Sequence, residues 1–288
     1  MNDLTNHRLY PKTRGQAGPN AGHPLIRLVI ALIIYAGCVF MLHRYGNTAI
    51  ILFAQKTGTT FTTPYAASSL ELLGVFIVML IVCLIIRQFH VFFKRRRSFL
   101  YGIFVGGYMF LYSVIGFISI LPGTESFQDR DTILFSILYF ILVGLTEELV
   151  FRGITADLLL QAFFKTNPGR KPVIPAVIIS GIIFSLAHAT NLKSADASGV
   201  IVQMAGAFVL GMFLTAVYFR SGNIYTVIFL HILNDIVAAL PVTILKSDIS
   251  INDIISGYEA ADLTMLIPYI IVLIFLLRPK KLEEIRTL

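Results

Sequence analysis

Apolar residues recur along this chain in long blocks, neither alternating as in a half-buried strand nor confined to one stripe as in an amphipathic surface helix. A hydrocarbon core about 30 Å thick takes roughly 20 apolar residues of helix to cross. Blocks of that kind cover roughly 26–43, 70–93, 99–121, 132–156, 173–189, 199–219, 223–241 and 263–278. The pattern predicts an all-α polytopic membrane protein with about eight transmembrane helices. The fifth block contains Pro175, and the short eighth contains Pro268. Residues 1–25 are polar and interrupted by Pro11, Pro19 and Pro24, which reads as a disordered cytoplasmic tail before one transmembrane domain at 26–288. Residues 44–69 and 242–262 read as long loops on the outer side.

Composition agrees with the pattern. The 288 residues are 56% hydrophobic and 14% charged, with a mean hydropathy of +0.80, against about 45–50% apolar and 25% charged in soluble domains. A soluble globule is excluded. Cys38 and Cys83 both lie inside apolar blocks and are too few for a disulfide framework.

The basic residues add an orientation. With eight spans, one side receives Arg8, Lys12, Arg14 and Arg27, Arg87 with Lys94-Arg95-Arg96-Arg97, Lys165, Arg170 and Lys171, Arg220, and Arg278, Lys280, Lys281 and Arg286. The other side receives Arg44, Lys56, Arg130, Lys193 and Lys246, and Arg152 lies within a span. Both termini are therefore expected in the cytoplasm. The net charge of +7 reads as a topology signal and an attraction to anionic lipid, with no nucleic-acid partner implied. Tyr35-Ala36-Gly37-Cys38 faintly resembles a lipoprotein cleavage box, but the apolar run continues past it, so the first span is expected to stay uncleaved in a plasma membrane of bacterial type.

An ionisable residue at mid-bilayer costs about 2.5–3.5 kcal/mol on insertion scales, so such residues persist mainly where paired or functional. Here they concentrate in the C-terminal half: Glu147, Glu148 and Arg152 in the fourth block, His188 in the fifth, and His231, Asn234 and Asp235 in the seventh. On a helix Glu148 and Arg152 share a face in the favoured order for an ion pair. Glu147, about 100° around the axis, is left as the odd carboxylate. His231 and Asp235 also share a face. On these boundaries Glu147 and His188 differ in depth by roughly 10–15 Å, and a fourth helix running on through Asp157 to Phe164 brings Glu147 toward mid-membrane.

Peptide hydrolysis needs a base to activate water, a polariser for the carbonyl and a proton donor to the leaving amine. Glu147 is the best candidate for the base, with His188 sharing the proton or binding a metal. His231 and Asp235 complete the site as oxyanion stabilisers or as a further ligand. Glu147, His188 and His231 are also an acceptable set for zinc or another divalent cation, so the residue types leave metal-assisted and metal-free routes open. No His-Glu-x-x-His, Gly-x-Ser-x-Gly, phosphate loop or dinucleotide fingerprint occurs.

Glu147-Glu148-x-x-x-Arg152, Phe184-x-x-x-His188 and His231-x-x-x-Asp235, in that order on successive apolar blocks, resemble the CPBP (Abi) family of type II CAAX prenyl proteases and bacteriocin-processing or immunity membrane proteins. The motifs occupy about residues 130–240. The resemblance implies an intramembrane endopeptidase with about eight helices around a cavity. It implies that Glu147 activates water together with His188, that His231 and Asp235 bind or polarise the scissile carbonyl, and that Glu148 and Arg152 support them. The family often has Asn where this chain has Asp235, here preceded by Asn234, and an aspartate donates a hydrogen bond only when protonated. The implied substrate is a peptide or membrane protein, either prenylated or a bacteriocin-like precursor. Two other classes fit the same residues: a proton-coupled transporter using them as a relay, and a non-catalytic immunity scaffold.

Overall fold

Residues 23–61, 63–93, 97–120, 126–166, 172–247 and 249–287 are described by the computed structural model; the expected tail lies outside them up to residue 22. Helix α1 (Pro24–Thr57) is 34 residues long. It does not end near residue 43 as the apolar block suggested, but runs on through Arg44 to a left-handed cap at Gly58 (φ 70°). Helix α2 (Pro64–Ile85) starts on a Thr63 cap, so the expected loop at 44–69 shrinks to a short connection.

The third block is not a straight span. It is split into α3 (Phe99–Val105) and α4 (Gly107–Ile120), bent by 81°. At the bend a Cβ on Gly106 would stand 2.4 Å from Leu230 Cδ1, so a glycine is what lets the chain turn against α9 (Ile224–Ala238).

The fourth block is longer than its hydropathy alone indicated. Helix α5 (Arg130–Glu148), capped by the Asp129 carboxylate accepting from the Thr132 N–H at 2.9 Å, passes without a break through a wider π-helical segment, Leu149–Ala156, into α6 (Asp157–Thr166). Arg130–Phe164 forms one 35-residue span, and Glu147 is its central residue.

Helices α7 (Val173–Ala187), α8 (Ala197–Ser221) and α9 complete the centre. Pro175 and, in α12 (Leu266–Leu276), Pro268 fall in first turns, where a missing N–H costs nothing. Short helices α10 (Leu240–Thr243) and α11 (Ile251–Ser256) and a 3₁₀ turn at Ala260–Met265 occupy most of the second expected loop, and α13 (Pro279–Thr287) ends the chain. Among the described residues there is no strand, only an isolated bridge between Phe127 and Leu245.

All eight apolar blocks are helical, but they do not all span equally. Among the described residues five helices are long and apolar enough to cross a membrane, or six when the bent α3–α4 pair is counted as one span. Ile224–Ala238 and Ala260–Leu276 are shorter. Helix α9 is enclosed by α3, α4, α5 and α8, so it need not reach the full thickness of the lipid by itself.

Two polar devices fix the 35-residue span Arg130–Phe164. Helices α7 and α8 approach closely where Gly211 faces Gly181, a Cβ on Gly211 lying 3.1 Å from the Gly181 Cα. Around this crossing Ser180 donates to the Phe151 carbonyl at 3.2 Å, and Thr215 donates to the Gly211 carbonyl at 2.8 Å.

At the α6 end, the buried Asp157 carboxylate accepts from Gln88 and Gln161, both at 2.8 Å, and Gln161 in turn accepts from Arg27 of α1 at 3.0 Å. Asp157→Ala removes the acceptor shared by Gln88 and Gln161. Groups left unpaired in a buried site cost about 1–3 kcal/mol, so a clear fall in the melting temperature of the detergent-solubilised protein is expected, and an unchanged one would show the network to be dispensable.

Candidate active site

The middle of the α5–π–α6 span carries two adjacent carboxylates with different surroundings. Glu148 is fully buried, and its Oε1 accepts from Arg152 at 2.7 Å. This is the i, i+4 pair that the spacing predicts. Arg152 is itself fully buried, with its guanidinium 4.4 Å from the centroid of the Phe184 ring and its second terminal nitrogen 3.4 Å from the Gly211 carbonyl. Glu147 points another way: its side chain is 23% exposed and lines a cavity of about 1410 Å³.

His231 joins the two carboxylates. Its Nδ1 is 2.6 Å from Glu148 Oε1, and its Nε2 faces Asp235 at 3.3 Å and Glu147 at 3.7 Å. A carboxylate accepts and a ring nitrogen donates, so the Nδ1 proton points at Glu148 and Nε2 is turned toward the cavity wall. Glu148 thus serves Arg152 along its own helix and His231 across 83 positions of sequence. The sequence reading paired Glu148 only with Arg152, because periodicity reports neighbours on one helix and is silent about the facing one.

His188 stands where α7 passes into a 3₁₀ turn, His188–Lys193. Its Nδ1 is 3.0 Å from the Phe184 carbonyl. A carbonyl only accepts, so Nδ1 carries a proton, and in the neutral imidazole the lone pair falls on Nε2. His188 lines the same cavity as Glu147, His231, Asn234 and Asp235. Phe184 packs edge-on against both imidazoles, with centroids 4.9 Å from His188 and 5.8 Å from His231. All seven residues singled out in the sequence are therefore gathered around one cavity, five on its wall and Glu148 and Arg152 behind it.

With these contacts in place, the comparison with known families has a structural meaning. Residues 129–237 match the Rce1-like family, described as type II CAAX prenyl endopeptidase Rce1-like. This segment is an Rce1-like domain. It runs from the cap of α5 to nearly the end of α9 and contains every residue of the cluster. No curated protein and no solved structure matches the chain. The Rce1-like match indicates a protease, and the apolar helices around it make the chain a multi-pass membrane protein with a CAAX-type intramembrane endopeptidase core.

Cavity residues outside the Rce1-like domain went unnoticed in the sequence. Tyr35 and Phe40 of α1, Tyr65 of α2 and Tyr258 in the 242–262 segment all line the cavity, as does Tyr139 within the domain. Tyr35 also packs edge-on against Phe151, with centroids 5.6 Å apart. Tyrosines inside apolar blocks were the available signal, since a phenolic hydroxyl in a span needs a polar neighbour or a wet cavity. Among the described residues no three His, Cys, Asp or Glu side chains stand together as a group that could hold a metal ion. Glu147, His188 and His231 share the cavity without forming such a group.

Proposed function

We propose that this protein is an intramembrane endopeptidase in which Glu147 activates the hydrolytic water. The observation that carries the reading is the contrast within one pair: Glu148 is sealed and doubly bonded, whereas Glu147, mid-way along an apolar span, faces an open cavity next to two imidazoles. A structural ion pair explains the first carboxylate and leaves the second without a purpose in lipid.

In this reading Glu147 takes one proton from water as the oxygen attacks the scissile carbonyl carbon. The oxyanion forms toward the Nε2 proton of a doubly protonated His231, whose Nδ1 proton is held by Glu148 and whose Nε2 lies beside Asp235, an arrangement that gives Asp235 a positioning role and does not require it to donate. Collapse breaks the C–N bond, and the proton gained by Glu147 passes to the leaving amine, directly or by way of the unprotonated Nε2 of His188. A metal-assisted route would need Glu147, His188 and His231 to close into a ligand group that they do not form among the described residues. Metal analysis of the purified protein, with activity measured before and after chelation, tests that alternative.

His188→Ala tests the proton route. Cleavage of an accumulating precursor should slow about a hundredfold, within the range for a general acid–base group, with unchanged yield and melting temperature. A transporter that uses these residues as a relay predicts the reverse: proton flux in proteoliposomes that His188→Ala abolishes, and no cleavage in the unsubstituted protein. A non-catalytic scaffold predicts no effect of the substitution on either readout.

A further inference from the structure

The cavity is one-sided. It is walled by 32–40 of α1, the first turns of α2, Met109 and Tyr112 of α4, Gln128, 139–151 of the catalytic span, 183–193 at and after the end of α7, 202–214 of α8, and the chain from His231 to Leu266. No described residue of 69–108, 152–182, 215–230 or 267–287 lines it. The excluded stretches meet at one end of the bundle: Arg27 donates to the Ile86 carbonyl, and the Arg97 N–H to the Ser221 carbonyl.

Between that end and Glu147 stands the π segment, all eight of its residues buried, with the buried Asp157–Gln88 pair beyond it. The opposite end is open. There the wall turns polar, with Thr190, Asn191, Gln203, Ser250, Asn252 and Asp262. Toward the bilayer Phe40 and Leu186 edge the cavity while 61% and 59% exposed, leaving an apolar flank beside a polar mouth.

The two ends also differ in charge. The sealed end holds Arg27, Arg87, Arg97, Arg220, Arg278, Lys280 and Lys281, and the sequence between α2 and α3 and between α6 and α7 adds Lys94, Arg95, Arg96, Arg170 and Lys171. The mouth end holds Arg44, Lys56, Arg130, Lys193 and Lys246. Basic residues in short connections are retained on the cytoplasmic side, so the sealed end faces the cytoplasm and the mouth faces away from it.

We propose that this protease takes its substrate from the non-cytoplasmic side: an apolar polypeptide stretch of an exported or outward-anchored protein, entering by the polar mouth or the α1–α7 flank. The inference rests on the endopeptidase reading above and adds the side of entry. A volume of about 1410 Å³ exceeds the roughly 300–1,000 Å³ of small-molecule sites, which suits a peptide segment. A prenylated C-terminus displayed in the cytoplasm meets the sealed end.

The test has two arms on the full chain. In a Cys38→Ala/Cys83→Ala background, Asn252→Cys at the mouth and Lys280→Cys at the sealed end are exposed to a membrane-impermeant maleimide. Full labelling of Asn252→Cys in intact cells, with Lys280→Cys labelled only after permeabilisation, is expected; the opposite pattern overturns the proposal whatever the enzyme cleaves. In the second arm, cells carrying Glu147→Gln are compared with wild type for uncleaved polypeptides. Accumulation of exported or outward-anchored proteins cut on their non-cytoplasmic side supports the proposal. Accumulation only of cytoplasmic lipidated C-termini overturns it while leaving the protease reading intact, and no accumulation at all overturns the protease reading and the proposal with it.

Discussion

Glu147→Gln is expected to reduce cleavage by about 10²–10⁴-fold, the range that a positioned general base contributes, without loss of folded protein. Glutamine keeps the shape and the hydrogen-bonding reach of the side chain but accepts no proton from water. The fold should tolerate it because Glu147 faces the cavity, and its contact to His231 Nε2 is the longer of the two carboxylate contacts at that atom, 3.7 against 3.3 Å. Glu147→Asp is a sharper probe. It retains the charge and withdraws the carboxylate by one methylene, and a displacement of about 1 Å costs on the order of a hundredfold when the reacting atoms must be aligned. A base therefore predicts loss in both variants, whereas a purely electrostatic contribution to the cavity predicts that Glu147→Asp remains close to wild type. Full activity in Glu147→Gln would remove Glu147 from the chemistry.

What was legible in the sequence follows the range over which each signal acts. Hydropathy is local, and it located all eight helical blocks. Helical spacing is also local, and it supplied the Glu148–Arg152 pair at 2.7 Å and the His231–Asp235 contact at 3.3 Å. The features that escaped depend on a second element. At the bend Gly106 packs closely against Leu230 of α9, a neighbour from a distant part of the chain. The hydrogen bond from His231 to Glu148 spans two helices. Tyr35 belongs to the cavity only because α1 leans on α6 and the π segment. The depth of Glu147 was a third case: hydropathy wanes after residue 156 while the helix continues, because Asp157 and Gln161 are satisfied by Gln88 and Arg27. The apolar boundary therefore understated the length of the span and misplaced its centre. Those same contacts anchor the far end of the span that carries Glu147.

Glu148→Ala is expected to cause the largest loss of stability. Arg152 would remain in a fully buried site with a 3.4 Å contact to a carbonyl and the face of Phe184, and a buried charge stripped of its partner costs about 3–5 kcal/mol. Arg152→Met alone leaves Glu148 still bonded to His231 and should cost less, since the carboxylate keeps one donor. The double variant Glu148→Ala/Arg152→Met removes both charges, so its melting temperature should recover above that of Glu148→Ala, a non-additivity that a double-mutant cycle reads directly. Activity should not recover with it, because His231 Nδ1 has lost the acceptor that holds the ring against Asp235 and Glu147. Additive melting shifts would show that Glu148 and Arg152 act independently of each other. A double variant that cleaves normally would show that the ring needs no anchor from Glu148, and the role of that carboxylate would then be confined to neutralising Arg152.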